Sequence, residues 1–267
     1  MSKTRSRAPG NEFGVWEAAF GLVVGFLLSI LAVSAYSGAS GGHPGTIGTD
    51  IVEFLGLWTG FVGAAIVASR TRLGQSQESG GAAGRAPVDV DVDVRPSLVQ
   101  DYGFRLRPWP DVPLGIAVGL AAQYGLVPLT ELPLQPFVQN LNSKLSHPAK
   151  QLFSPHINGL SLWVLTVLVC IGSPLVEELF FRGLLLRGLL GRLGVLGARR
   201  GPAAAIVITG VVFGLVHFEE LQFIGLASFG MVLAYLAYRT GRLGPSIMAH
   251  VAFNSATVVA ILVTRLT

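Results

Sequence analysis

Charge is scarce in this chain. Of 267 residues only 13% are Asp, Glu, Lys or Arg, against 51% hydrophobic, and the mean hydropathy is strongly positive. That balance excludes a water-soluble domain of ordinary composition. Cysteine is scarcer still: Cys170 stands alone inside an apolar run, so no intramolecular disulfide can form and the residue reads as a small hydrophobe. The apolar runs also lack the two-residue alternation that a lipid-facing strand requires, which excludes a transmembrane barrel. The compact zinc signature H-E-x-x-H is missing too, since the nearest string, His217, Phe218, Glu219, Glu220, does not fit it.

What remains is an all-α, polytopic transmembrane helix bundle. Apolar runs at 13–36, 51–69, 112–130, 160–180, 202–218, 223–238 and 246–264 predict seven spans, each near the length that crosses a bilayer. An eighth is expected only if residues 131–153 hold another helix. Three regions follow: an N-terminal transmembrane hairpin over 1–69, a flexible cytoplasmic loop over 70–110, and a core over 111–267 with its polar motifs within 174–254. The basic segment before the first span resembles a secretory leader, but the apolar run is too long for one, so an uncleaved span is expected.

Basic residues fall on alternate sides of these spans, with 16 of the 19 Lys and Arg on one side and Lys144, Lys150 and Arg265 on the other. By the positive-inside rule the N-terminus is cytoplasmic, the C-terminus outside, and the protein sits in the plasma membrane. The net charge of +4 therefore reflects orientation, and no nucleic-acid partner is expected. Residues 70–110 begin with the Gly/Ser/Ala-rich "GQSQESGGAAG", the composition of a flexible linker. Asp89, Asp91 and Asp93 in it lack the Gly and closing Glu of an EF-hand loop. His147 and His156, in the connection before the fourth span, read as solvated. Glycine pairs four apart, Gly21 and Gly25, Gly56 and Gly60, Gly115 and Gly119, Gly210 and Gly214, predict close helix packing inside the bundle.

The stretch "GSPLVEELFFRGLLLRGLL" sets Glu177, Glu178 and Arg182 within an apolar helix, at roughly 2.5–3.5 kcal/mol for each charge left unpaired at the bilayer centre. Glu178 and Arg182 are four apart and can neutralise each other. Glu177 points elsewhere and has no basic partner in its own helix. Pro174 cannot donate to the carbonyl of Cys170, so the helix should open there and take a donor from water. Two more polar pairs at i, i+4 follow on later helices: Phe213 with His217, and His250 with Asn254. A carboxylate, two imidazoles and a carboxamide supply what is needed to activate water and stabilise an oxyanion.

In this order and spacing, E-E-x-x-x-R, F-x-x-x-H and H-x-x-x-N resemble the motifs of the CPBP intramembrane proteases, the family of CAAX-prenyl proteases and bacteriocin-processing or immunity (Abi-like) proteins. The resemblance implies an intramembrane endopeptidase acting on a membrane-associated or lipidated protein or peptide. It implies Glu177 and His217 as the base pair for water, His250 and Asn254 as oxyanion donors, and Glu178, Arg182 and Phe213 as structural support. Four costly polar side chains on apolar helices are most cheaply kept if they share water, so Glu177, His217, His250 and Asn254 are expected to line one cavity open toward the cytoplasm. Two cofactor readings stay open: a zinc site with Glu177, His217 and His250 as ligands, and a metal-free mechanism. Two rival functions also stay open: a non-catalytic membrane scaffold or immunity protein of the same fold, and an ion- or proton-coupled transporter, for which no internal repeat is seen. The oligomeric state is left open. One conflict arises from the predicted boundaries. Glu177 falls near the inner end of its span and His217 roughly 22 Å deeper, so the two meet only if one of those helices is displaced or the grouping is wrong.

Overall fold

The computed structural model describes residues 14–43, 45–82 and 101–266, with only the backbone for 72–82 and 266. Its helices are α1 (Val15–Ala39), α2 (Thr46–Ala82), α3 (Pro108–Leu134), α4 (Leu141–Leu152), α5 (Gly159–Leu196), α6 (Arg200–Leu215), α7 (Phe223–Thr240) and α8 (Gly244–Leu266). No strand occurs among the described residues. Among the described residues six helices are long and apolar enough to cross a membrane, and α6, at 16 residues, is a shorter apolar helix. The chain is an integral membrane protein built as a polytopic helical bundle.

The expected eighth helix exists as α4, but its 12 residues are too few to span a bilayer. Residues 70–82 depart from the linker reading, because α2 continues as helix to Ala82. Residues 103–107 lie against the turn between α7 and α8, where the amides of Leu243 and Gly244 donate to the carbonyls of Gly103 and Arg105. Asp89, Asp91 and Asp93, with Lys3, Arg5, Arg7, Arg85 and Arg95, lie outside the described residues.

Glycine decides how the helices pair. A β-carbon at Gly60 would collide with the backbone of Gly25, and one at Gly56 with the backbone of Ser29, so α1 and α2 touch main chain to main chain, running antiparallel. Gly115 and Gly119 seat α3 against Met248 and Ala249 of α8, and Gly210 and Gly214 seat α6 against Ala227 of α7. All four pairs are spent on packing within the chain, as helices without a hydrophobic drive between them require.

Helix α5 runs through the middle. Every residue of Leu179–Leu185 is buried, and its Phe180 stacks on Phe61 of α2 at 4.0 Å while Phe181 meets Phe213 of α6 edge-on at 5.3 Å. Two π-helical stretches, Leu168–Gly172 and Leu179–Leu185, flank the α-helical segment Ser173–Glu178 that carries the paired acids. Such widened turns often mark functional positions.

At the end of the bundle where α3 and α8 begin, Asp111 is fully buried and takes three hydrogen bonds from Arg242, the shortest 2.5 Å, plus one from the Arg107 amide at 2.8 Å. The hydrogen bonds to Asp111 hold the Arg242 guanidinium above its ordinary pKa. This clamp fixes where α8 starts, and through it the height of His250. The sequence carried one sign of it, an acid in the first turn of α3.

Candidate functional site

Helix α5 continues 16 residues past the boundary at 180 that hydropathy suggested, ending at Leu196. It then turns back into α6 through 197–199. Measured from that turn, Glu177 lies roughly 28 Å along α5 and His217 roughly 26 Å along α6 at ~1.5 Å per residue. Both therefore sit at one level, and the depth conflict disappears. Glu177, His217, His250 and Asn254 all line a single cavity of about 270 Å³, with Ser173, Phe229 and Phe253.

Glu178 is the hub. Its Oε1 accepts from Arg182 Nη1 at 2.7 Å and from His250 Nδ1 at 3.0 Å, all three side chains being buried. Arg182 also donates from Nη2 to the Gly230 carbonyl of α7 at 3.0 Å and lies 4.5 Å over the ring of Phe213. One acid thus joins α5, α7 and α8. Phe213 touches three of the polar groups, with ring centres 4.7 Å from His217 and 5.7 Å from His250, so it works as their spacer.

Glu177 is placed differently from its neighbour. It has no arginine partner, and its Oε2, buried without a hydrogen-bond partner as that of Glu178 also is, lies 3.9 Å from His250 Nε2. That gap is too long for a direct bond and suits a shared third group. His217 approaches the Phe213 carbonyl with Nδ1 at 2.6 Å. A carbonyl only accepts, so Nδ1 carries the proton and Nε2 of the neutral ring is left as an acceptor.

Asn254 has a second duty. The π-helical stretch bonds the Ser173 amide to the Leu168 carbonyl five residues back. In that register the next donor, owed to Val169, would come from Pro174, which has none. Asn254 Nδ2 supplies it at 2.9 Å. The opened carbonyl is therefore that of Val169 rather than Cys170, and its donor is a side chain of α8.

One expectation is corrected here. The cavity is walled by Ala149, Leu152 and Phe153 from α4 and its end, and by Gln222 from the turn after α6. These belong to the end opposite the arginine-rich one, so the cavity does not face the basic, expected cytoplasmic, end. No three His, Cys, Asp or Glu side chains among the described residues are grouped so as to hold a metal ion. His217 and His250 each have Nδ1 bonded to protein, which leaves Nε2 as the atom through which either could ligate a metal. The 131–159 connection supplies one wall of the cavity. Only apolar residues do this, and they leave no chemical signature. His147 and His156 are exposed.

A second cavity of about 340 Å³ adjoins the first through Ala149, Gln222, Phe253 and Thr257. It lies between α3, α4 and α8 and reaches Glu131, Asn142 and Lys150. Gln222 Nε2 donates to the Leu145 carbonyl at 2.9 Å and holds α4 over the junction.

Residues 159–256 match the family model Rce1-like, described as type II CAAX prenyl endopeptidase. The matched segment runs from the start of α5 into α8 and contains all seven residues of the polar constellation. No curated protein and no solved structure matches the chain.

Proposed function

Starting from the match of residues 159–256 to the model for type II CAAX prenyl endopeptidases, we propose that this protein is an endopeptidase of that kind, which hydrolyses a peptide bond of a membrane-associated protein or peptide with Glu177 as general base. The observation that carries this reading is the buried, unpartnered Oε2 of Glu177 facing His250 Nε2 across 3.9 Å, in the cavity that His217 and Asn254 also line. An unsatisfied buried carboxylate oxygen is costly, and a water held between it and an imidazole offsets that cost.

In this mechanism Glu177, helped by the accepting Nε2 of His217, takes a proton from that water as its oxygen bonds to the scissile carbonyl carbon. The oxyanion that forms receives N–H donors from His250 Nε2 and from the Asn254 amide hydrogen not used on Val169. A proton on both nitrogens of His250 makes Glu177, Glu178, Arg182 and His250 neutral as a set. The proton held by Glu177 then passes to the departing amine nitrogen as the C–N bond breaks. The adjoining cavity under α4, with its polar rim, is the route for the peptide.

Comparison of peptide termini in membranes from cells making wild-type protein or Glu177→Gln tests the reading. New termini should appear only with the wild type, and a purified pair incubated with such a substrate should differ at least 10²-fold in turnover. Identical termini at equal amounts of folded protein would leave the fold serving as a scaffold.

A further inference from the structure

The arginine-rich end of the bundle, remote from the proposed catalytic cavity, has a groove of its own. We propose that it binds a phosphate group, held between the segment 103–107 and the turn 240–242. The groove has a volume of about 420 Å³ and is lined by Arg105, Arg107, Arg187 and Arg242, with Gly103 and Thr240. Arg242 is paired with Asp111, but Arg105, Arg107 and Arg187 beside it keep the groove positive, and a tetrahedral oxyanion that accepts paired N–H donors suits such a cluster. The nearby acids are already engaged. Asp111 is spent on Arg242 and the Arg107 amide, and Asp101 accepts from the Ser69 hydroxyl.

The groove is built rather than a chance gathering of surface side chains. Gly103 has φ +66°, and a β-carbon there would lie 2.7 Å from the Gly241 carbonyl oxygen and collide with the Arg187 guanidinium. Only glycine lets this segment press so close. Arg187 donates to the Gly241 carbonyl at 3.1 Å, and the amides of Leu243 and Gly244 bond the carbonyls of Gly103 and Arg105 at 2.8 and 3.1 Å. The backbone that carries Arg105 and Arg107 is therefore pinned to the turn that carries Arg242. Beside the rim, Leu106 is 49% and Trp109 82% exposed, an apolar collar of the kind that settles at a bilayer surface. The groove thus suits the phosphate of an anionic phospholipid headgroup, with free phosphate as the other source of the same chemistry.

Native mass spectrometry of protein from phosphatidylcholine nanodiscs with and without phosphatidylglycerol reads the lipid arm. Melting in inorganic phosphate against chloride at matched ionic strength reads the other. Arg105→Gln with Arg107→Gln should weaken phosphatidylglycerol retention roughly tenfold or more, while Arg199→Gln with Arg200→Gln, exposed at the same end but outside the groove, should leave it unchanged. Stabilisation by inorganic phosphate alone, lost in the first double variant and kept in the second, supports the site with free phosphate as its ligand. Equal loss in both double variants, or no preference for phosphatidylglycerol or phosphate in the wild type, overturns the proposal in favour of diffuse surface charge.

Discussion

Replacing Glu178 by Gln removes one negative charge and almost no volume, so it isolates what that charge does. In the native protein Oε1 of Glu178 receives Arg182 at 2.7 Å and His250 at 3.0 Å, and neither Glu178 nor Arg182 has any exposed side-chain surface. A glutamine oxygen can still accept both hydrogen bonds, but Arg182 then keeps its charge in a buried site without its adjacent counter-charge, facing the Gly230 carbonyl and the Phe213 and Phe181 rings with Glu177 as the remaining acid. Breaking a buried pair in this one-sided way costs about 3–5 kcal/mol. That corresponds to roughly a 10²–10⁴-fold fall in the folding equilibrium and, for a chain of this size, a loss of roughly 6–20 °C in Tm. Heating detergent extracts of a fluorescent fusion and measuring the monodisperse fraction would show it. Arg182→Gln in the same chain should return part of the loss, because the stranded charge is gone. Specific activity of the surviving Glu178→Gln protein should fall much less than that of Glu177→Gln. A Glu178→Gln protein that melts within about 2 °C of wild type yet is inactive refutes the reasoning and moves Glu178 into the chemistry.

Asn254→Ala strands the Val169 carbonyl and should destabilise by roughly 1–3 kcal/mol; adding Pro174→Ala, which restores a backbone donor in the π register, should recover part of it, and no recovery would mean that the amide matters for another reason. Glu177→Gln and His217→Asn should each lower turnover at least 10²-fold without adding in the double variant, since both act on one water; multiplicative losses would separate them. Gly60→Val should disrupt the α1–α2 pair, because its side chain would enter the backbone of Gly25, and should reduce assembled protein in the membrane fraction; unchanged yield would contradict the close approach. Reporter fusions after residues 42, 90, 145 and 267 should read outside, inside, outside and outside, which would set α4 and the proposed catalytic cavity at the outer face; the reverse pattern would put both at the cytoplasmic side.

Much of the bundle was legible because the bilayer demands long apolar runs, and the packing glycines show as pairs four apart. The end of α5 was not. Glu177, Glu178 and Arg182 lower local hydropathy as though they faced water, whereas Glu178 and Arg182 cancel within the helix and Glu177 faces the cavity. A hydropathy window adds single residues and cannot see pairing, so it closed the span 16 residues early and put Glu177 at the wrong depth. The order E-E-x-x-x-R, F-x-x-x-H, H-x-x-x-N nevertheless picked out side chains that the fold brings together.

What sequence could not show is how the two glutamates differ. Both were legible as costly, and the i, i+4 rule picked Glu178 as the partner of Arg182, but that rule covers one helix. The bond from His250 crosses from α8, whose height depends on the Asp111–Arg242 clamp, and the bond from Asn254 depends on a π register that moves the orphan carbonyl from Cys170 to Val169. His250 and Asn254 are one turn apart on α8, so the clamp, the hub and the carbonyl staple together hold that helix in register with α5. Glu177 and Glu178 each keep one buried oxygen without a partner, but only that of Glu177 has an imidazole nitrogen 3.9 Å away across the cavity while its carboxylate has no arginine of its own. The structure spends Glu178, Arg182 and Asn254 on rigidity around the Glu177 carboxylate, and rigid surroundings are what the general base proposed there would need if its water is to be held in line.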